Sequence, residues 1–133
     1  MRSFLCAAAA VLLLTATRAS AHHAFAAEYD ENKLVTVSGT VTNFKWTNPH
    51  AWLYVEGTDE KGERGAWRFE MGSPNGLRHR GWKSTELKKG DQVTVDGFCA
   101  KDGTNVANAR MVTKADGRKL FGGFQSTPRE PVK

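Results

Sequence analysis

The chain has little of what would assign it a chemistry at sight. Its 133 residues include two cysteines, four histidines and four prolines. No serine sits in a nucleophile elbow, no Cys and His are paired, and there is neither an HExxH sequence nor a phosphate-cradling glycine loop. Gly72-Ser73-Pro74 reads as a helix cap, and Glu28, Asp30 and Glu70 are acids without an evident base. This pattern describes a binding protein rather than an enzyme. Long apolar runs are also missing. The longest, residues 4–14, counts 11 residues, short of the roughly 20 that a membrane helix needs.

What the first residues do carry is an export signal. Arg2 supplies the positive start, residues 4–14 the apolar stretch, and Ala19-Ser20-Ala21 a small-x-small cleavage site. The competing reading is an uncleaved N-terminal anchor. Cys6 precedes the bulk of the apolar run, which rules out a lipoprotein cysteine. Cleavage after Ala21 leaves 112 of the 133 residues, enough for one domain with a modest core, in the periplasm and without a transmembrane segment. The signal holds two arginines and no acid, so the formal charge falls from +5 to +3. That is too small to indicate a nucleic-acid partner. The mature chain keeps only Cys99, so no internal disulfide is available, and its apolar neighbours Gly97, Phe98 and Ala100 predict burial.

From Val35 onward the pattern is one of short strands and turns. Val35 to Trp46 forms a long first strand. Val35, Val37 and Val41 share one face, and a switch of parity after Thr42 to Phe44 and Trp46 predicts a bend or bulge, which Gly39 lies close enough to permit. After the Thr47-Asn48-Pro49 turn, residues 50–57 and 65–71 alternate as the second and third strands, joined by a polar hairpin over 58–64. Ser73-Pro74 opens a short helix that ends near Gly81. Strands follow over 92–100 and 105–114, with a short one over 118–121. Three strands, a helix and two strands is the order of a five-stranded OB-fold barrel: all-β with one short helix. A small β-sandwich or open meander is the alternative. The divisions are a signal over 1–21, an N-terminal segment over 22–34, the barrel domain over 35–121, and a disordered tail over 122–133.

Certain runs are distinctive: Ala21-His22-His23 with Phe25; Trp46-Thr47-Asn48-Pro49-His50-Ala51-Trp52; Gly72-Ser73-Pro74-Asn75; and Arg80-Gly81-Trp82. Together they resemble a family of small exported bacterial proteins catalogued as a domain of unknown function. The likeness covers nearly all of the mature chain up to Phe121. It implies export and a small β-barrel-like domain, and brings no activity with it.

The histidines carry the sharpest chemical lead. As first residue, His22 would offer its α-amine and its imidazole to one metal as a chelate. His23 adds a second ring, and His50 a nitrogen from the folded domain. Nitrogen donors of this kind favour copper(II). The competing reading is a pair of solvated terminal histidines and a His50 that only braces its loop. His79 lies between two arginines and is a poor cation ligand; Met71 and Met111 read as core residues first. The aromatics supply a different lead. Phe44, Trp46, Trp52 and Tyr54 have one parity and are expected to share a face. With Asn48, the residues Trp46, Trp52 and Tyr54 would hold an envelope protein or a glycan, making the chain a non-catalytic adaptor. The competing reading is that these rings close the barrel ends. The leading expectation is a copper-binding accessory protein using His22, His23 and His50.

Overall fold

The computed structural model describes residues 24–123. A helical segment over 24–28 leads into β1 (Tyr29–Lys45), followed by β2 (Trp52–Asp59) and β3 (Arg64–Glu70). The Pro74–His79 helix comes next, then β4 (Gln92–Ala100), β5 (Val106–Lys114) and β6 (Lys119–Phe121). The strands form one sheet in the order β3-β2-β1-β4-β5-β6, antiparallel throughout except where β3 also pairs with β5 in parallel. That extra pairing turns five strands into a ring of OB-like order. The closing seam is short, Arg68 to Glu70 against Val106 to Asn108, so the ring is not a regular barrel.

Alternation decides which side chains face inward. Val35, Val37 and Val41 of β1, Leu53 and Val55 of β2, Trp67 and Phe69 of β3, Val93 and Val95 of β4, and Val112 of β5 fill the interior. Each fully buried Val, Leu or Phe contributes roughly 1.5–3 kcal/mol of transfer free energy. The opposite faces of β1 and β4 form a polar ladder that follows the register. Thr36 donates to Asp96 at 2.6 Å, Ser38 meets Thr94 at 2.9 Å, and Gln92 donates to Thr40 at 2.7 Å.

Two features differ from the sequence reading. β1 begins earlier, at Tyr29, because a first irregularity between Tyr29 and Leu34 lets its start pair with the end of β4. The second bulge lies between Val41 and Asn43, where the parity switches, and Gly39 takes no part in it. Gly39 answers a different need, since a Cβ there would run into the backbone of Glu56 and Gly57 on β2. The helix begins as expected, with the Ser73 side chain accepting from the Gly76 amide at 3.1 Å and Pro74 in its first turn. It stops where Gly81 adopts φ +92°, a conformation open to glycine.

Gly122 and Gly123, assigned from sequence to the tail, are buried against Ala109. The remainder of that tail, residues 124–133, and the whole signal region lie outside the described residues. Among the described residues no helix is long and apolar enough to cross a membrane.

Candidate functional site

His50 follows a turn with a cis Asn48–Pro49 peptide, in which the Thr47 hydroxyl donates to the His50 carbonyl at 3.2 Å. Beyond the turn, the Ala51 amide donates to the Gly72 carbonyl at 3.0 Å and the Met71 amide to the Ala51 carbonyl at 2.9 Å. These bonds extend the β2–β3 pairing past the strand ends. They put His50 and Glu70 on one outer face, where His50 Nδ1 is bonded to Glu70 Oε1. The second carboxylate oxygen, Oε2, accepts the hydroxyl of Tyr29. Glu70 is largely buried, its side chain 12% exposed against 30% for His50.

A carboxylate only accepts, so Nδ1 of His50 carries its proton toward Glu70. In the neutral ring Nε2 is then the nitrogen that carries the lone pair. A carboxylate on the far nitrogen is the usual support of a metal-bound histidine, because it fixes the tautomer and the ring orientation. Tyr29 is buried, and its phenol is pushed well above the ordinary tyrosine range, first by burial and then by the hydrogen bond to Glu70. Its ring packs against Phe25, centroids 5.5 Å apart, and Phe25 meets Phe98 edge-on at 5.6 Å. The Lys101 amide donates to the Glu28 carbonyl at 2.9 Å, and its ammonium group donates to the Ala26 carbonyl. The start of the described chain is therefore pinned across β4 and tied through Tyr29 to the acid that holds His50.

Asn108 pairs with Glu70 across the closing seam and is 4% exposed. Its Oδ1 has no hydrogen-bond partner among the described residues. His22 and His23 lie outside the described residues, and within those residues no group of three or more His, Cys, Asp or Glu is disposed to hold a metal. His79 is exposed on its helix, Met71 is buried in the core and Met111 is half-buried. Cys99 is half-buried where full burial was expected. It packs against the core at the end of β4, and burial raises its thiol pKa.

The aromatic set divides. Phe44 pairs with Leu53 in the register, which turns it inward, and its ring lies 5.8 Å from Trp46 and 5.9 Å from Trp82. Trp46 sits beneath the Arg78 guanidinium at 5.6 Å, and its Nε1 is buried without a partner among the described residues. Trp52 and Tyr54 are on the outer face of β2, with Arg68 5.9 Å above the first ring and Lys45 5.4 Å above the second. The expectation of one shared face fails because the bulge after Val41 and the antiparallel register set the even residues of β1 against the odd ones of β2. Asn48 is exposed in the turn.

Sequence reasoning missed Glu70 and Tyr29. Glu70 was visible as a lone acid, but its partners arrive from the turn before β2 and from the very start of β1. No local pattern announces either. No curated protein and no solved structure matches the chain. The model of the family of unknown function DUF6152 matches residues 9–109, most of the chain, and the chain belongs to that family.

Proposed function

We propose that the chain is exported to the periplasm with cleavage after Ala21, and that the mature protein is a copper-binding accessory protein. The donors are the α-amine and imidazole of His22 and Nε2 of His50, with His23 beside them. One observation carries this reading: Glu70 joins Nδ1 of His50 to the hydroxyl of Tyr29, and so links the histidine to the segment that follows His22 and His23. The same carboxylate that orients the ring would anchor the arm bringing the other donors. Nitrogen-rich, tetragonal donor sets favour copper(II) over the other divalent metals of the first row.

The test is a copper titration of natively exported protein, its N-terminus checked by mass. Calorimetry and electron paramagnetic resonance would follow the binding. The expected result is one equivalent of tightly bound copper with a nitrogen-rich tetragonal signal. His50→Ala, or one extra residue before His22, should each loosen it at least tenfold. Glu70→Gln should loosen it roughly 10–100-fold through the ring it no longer orients. Weak binding indifferent to His50→Ala would leave an ordinary peptide chelator and overturn the reading.

A further inference from the structure

A second site lies on the same outer face, farther along the sheet from His50. β5 begins at Val106, opposite Arg68, so from there toward the β2–β3 hairpin β3 has no β5 strand beside it. An open groove of about 390 Å³ occupies the gap, with Tyr54, Glu56 and Arg68 on one side and Thr104 and Asn105 on the other. Trp52 continues its ring surface beneath Arg68.

The groups in this groove differ from those of a protein interior or of a metal site. Tyr54 and Trp52 are half-buried and offer flat apolar surface. Asn105 offers an amide. Thr104 gives its hydroxyl proton to Asp102 at 2.6 Å and keeps an acceptor lone pair. Ring faces with a few amide and hydroxyl groups suit a sugar ring, which has apolar C–H faces and a polar rim. The charge narrows the choice. Glu56 is paired with Arg64 at 3.2 Å, whereas Lys45 and Arg68 form no ion pair among the described residues and stand over the two rings. The two rings are therefore flanked by cations, while the Asp102 carboxylate marks the Thr104 edge of the groove and acts on Arg68 from that side.

Two other occupants fit less well. A second copy of this chain would gather four cations without ion-pair partners among the described residues, Lys45 and Arg68 from each copy, into one interface, a like-charge arrangement. An extended peptide would need a free strand edge to pair with. Here the Arg68 amide is already bonded to the Asn105 carbonyl at 3.0 Å, and the Asn105 side chain lies 2.7 Å from where a Cβ on Gly65 would be. We infer that the outer face of β2 and β3 binds an acidic oligosaccharide, with Tyr54 and Trp52 under the sugar rings and Arg68 and Lys45 on their carboxylates.

The test is a tryptophan-fluorescence and calorimetric titration of the exported protein with a uronic-acid tetrasaccharide. A neutral tetrasaccharide and tetraglutamate serve as comparisons, and a chelator is present throughout. Saturable binding of the uronate, at least tenfold tighter than either comparison, is the expected result. It should weaken with added salt and fall at least tenfold in Arg68→Gln and in Tyr54→Ala, each checked for native circular dichroism. Since the chelator removes copper, this outcome is independent of the histidine site. Absent or unsaturable uronate binding would overturn the inference, as would an unchanged affinity in Arg68→Gln. Equal binding of the neutral sugar would overturn the role of the cations. Equal binding of tetraglutamate would reduce the face to a generic anion surface and overturn the sugar assignment.

Discussion

At the scale of single residues the molecule turns on Glu70, whose two oxygens serve two different parts of the chain. Removing the Tyr29 hydroxyl would leave the largely buried carboxylate with one bond fewer. Hydrogen bonds to charged groups contribute about 1.5–3 kcal/mol, so Tyr29→Phe should lower the unfolding free energy by about that amount in urea titrations. The loss should depend on pH in a particular sense. The folded phenol has its pKa raised, so in the unfolded chain it ionises first, near the ordinary value of about 10. Its contribution is complete below that pH and declines as pH rises above it. Wild-type stability should therefore fall above pH 10 more steeply than that of Tyr29→Phe, and a gap that stays constant there would speak against the buried phenol. His50 was legible as a candidate because its neighbours and residue type mark it. Glu70 and Tyr29 were not, since their roles depend on strand register and on where the N-terminal segment crosses β4.

At the scale of elements, alternation and turn chemistry told most of the story. The inward residues of β2 and β3, the Ser73 cap, the glycine turns and the bounds of β4 all follow local rules. The bulge in β1 was legible as a switch of parity after Thr42, where the register does shift, but the role of Gly39 was not. Gly39 drew attention because glycine commonly marks a bulge, whereas it lies opposite Gly57 in the register, at a place where two backbones approach closely. The distinction has a consequence. An alanine at a true bulge could be absorbed by loose backbone, but at Gly39 the new methyl would meet the carbonyl of Glu56 and the Cα of Gly57. Neither can swing aside as a side chain would. Gly39→Ala should cost about 1–3 kcal/mol, as overpacking does, visible as a lower urea midpoint. Alanine at exposed Gly76, whose Cβ would meet only the Ser73 hydroxyl at 3.1 Å, serves as the tolerant comparison. Equal costs at the two positions would show that close approach is not what Gly39 provides.

At the scale of the whole molecule, the short β3–β5 seam leaves much of the closure to contacts outside the ring. The segments on either side of the helix supply them. Trp82 Nε1 donates to the Phe121 carbonyl at 2.8 Å, and the Gly72 amide donates to the Gly122 carbonyl at 3.0 Å. Glu86, its side chain 7% exposed, is bonded to Lys114 of β5 at 2.9 Å and to Arg118 of the β5–β6 hairpin. None of these pairings is periodic in sequence, which is why the strand order was legible and its fastening was not. The Glu86 carboxyl is held below its ordinary range, chiefly by the hydrogen bond from Lys114, with both cations adding to it and burial opposing. A carboxyl with a lowered folded pKa contributes stability that is complete above its unfolded value, about 4.3, and is lost as pH falls through the folded value. Arg118 is 57% exposed, so its share is screened by solvent, and Lys114 at 20% carries most of the effect. Glu86→Gln should therefore cost about 1–2 kcal/mol at pH 7, where the charged bond is intact. At pH 3 the wild-type carboxyl is closer to the neutral state of the variant, and the gap should narrow. Urea midpoints at the two pH values decide the matter: a gap of the same size at both would mean that shape, and not charge, fastens this segment to the β5–β6 hairpin.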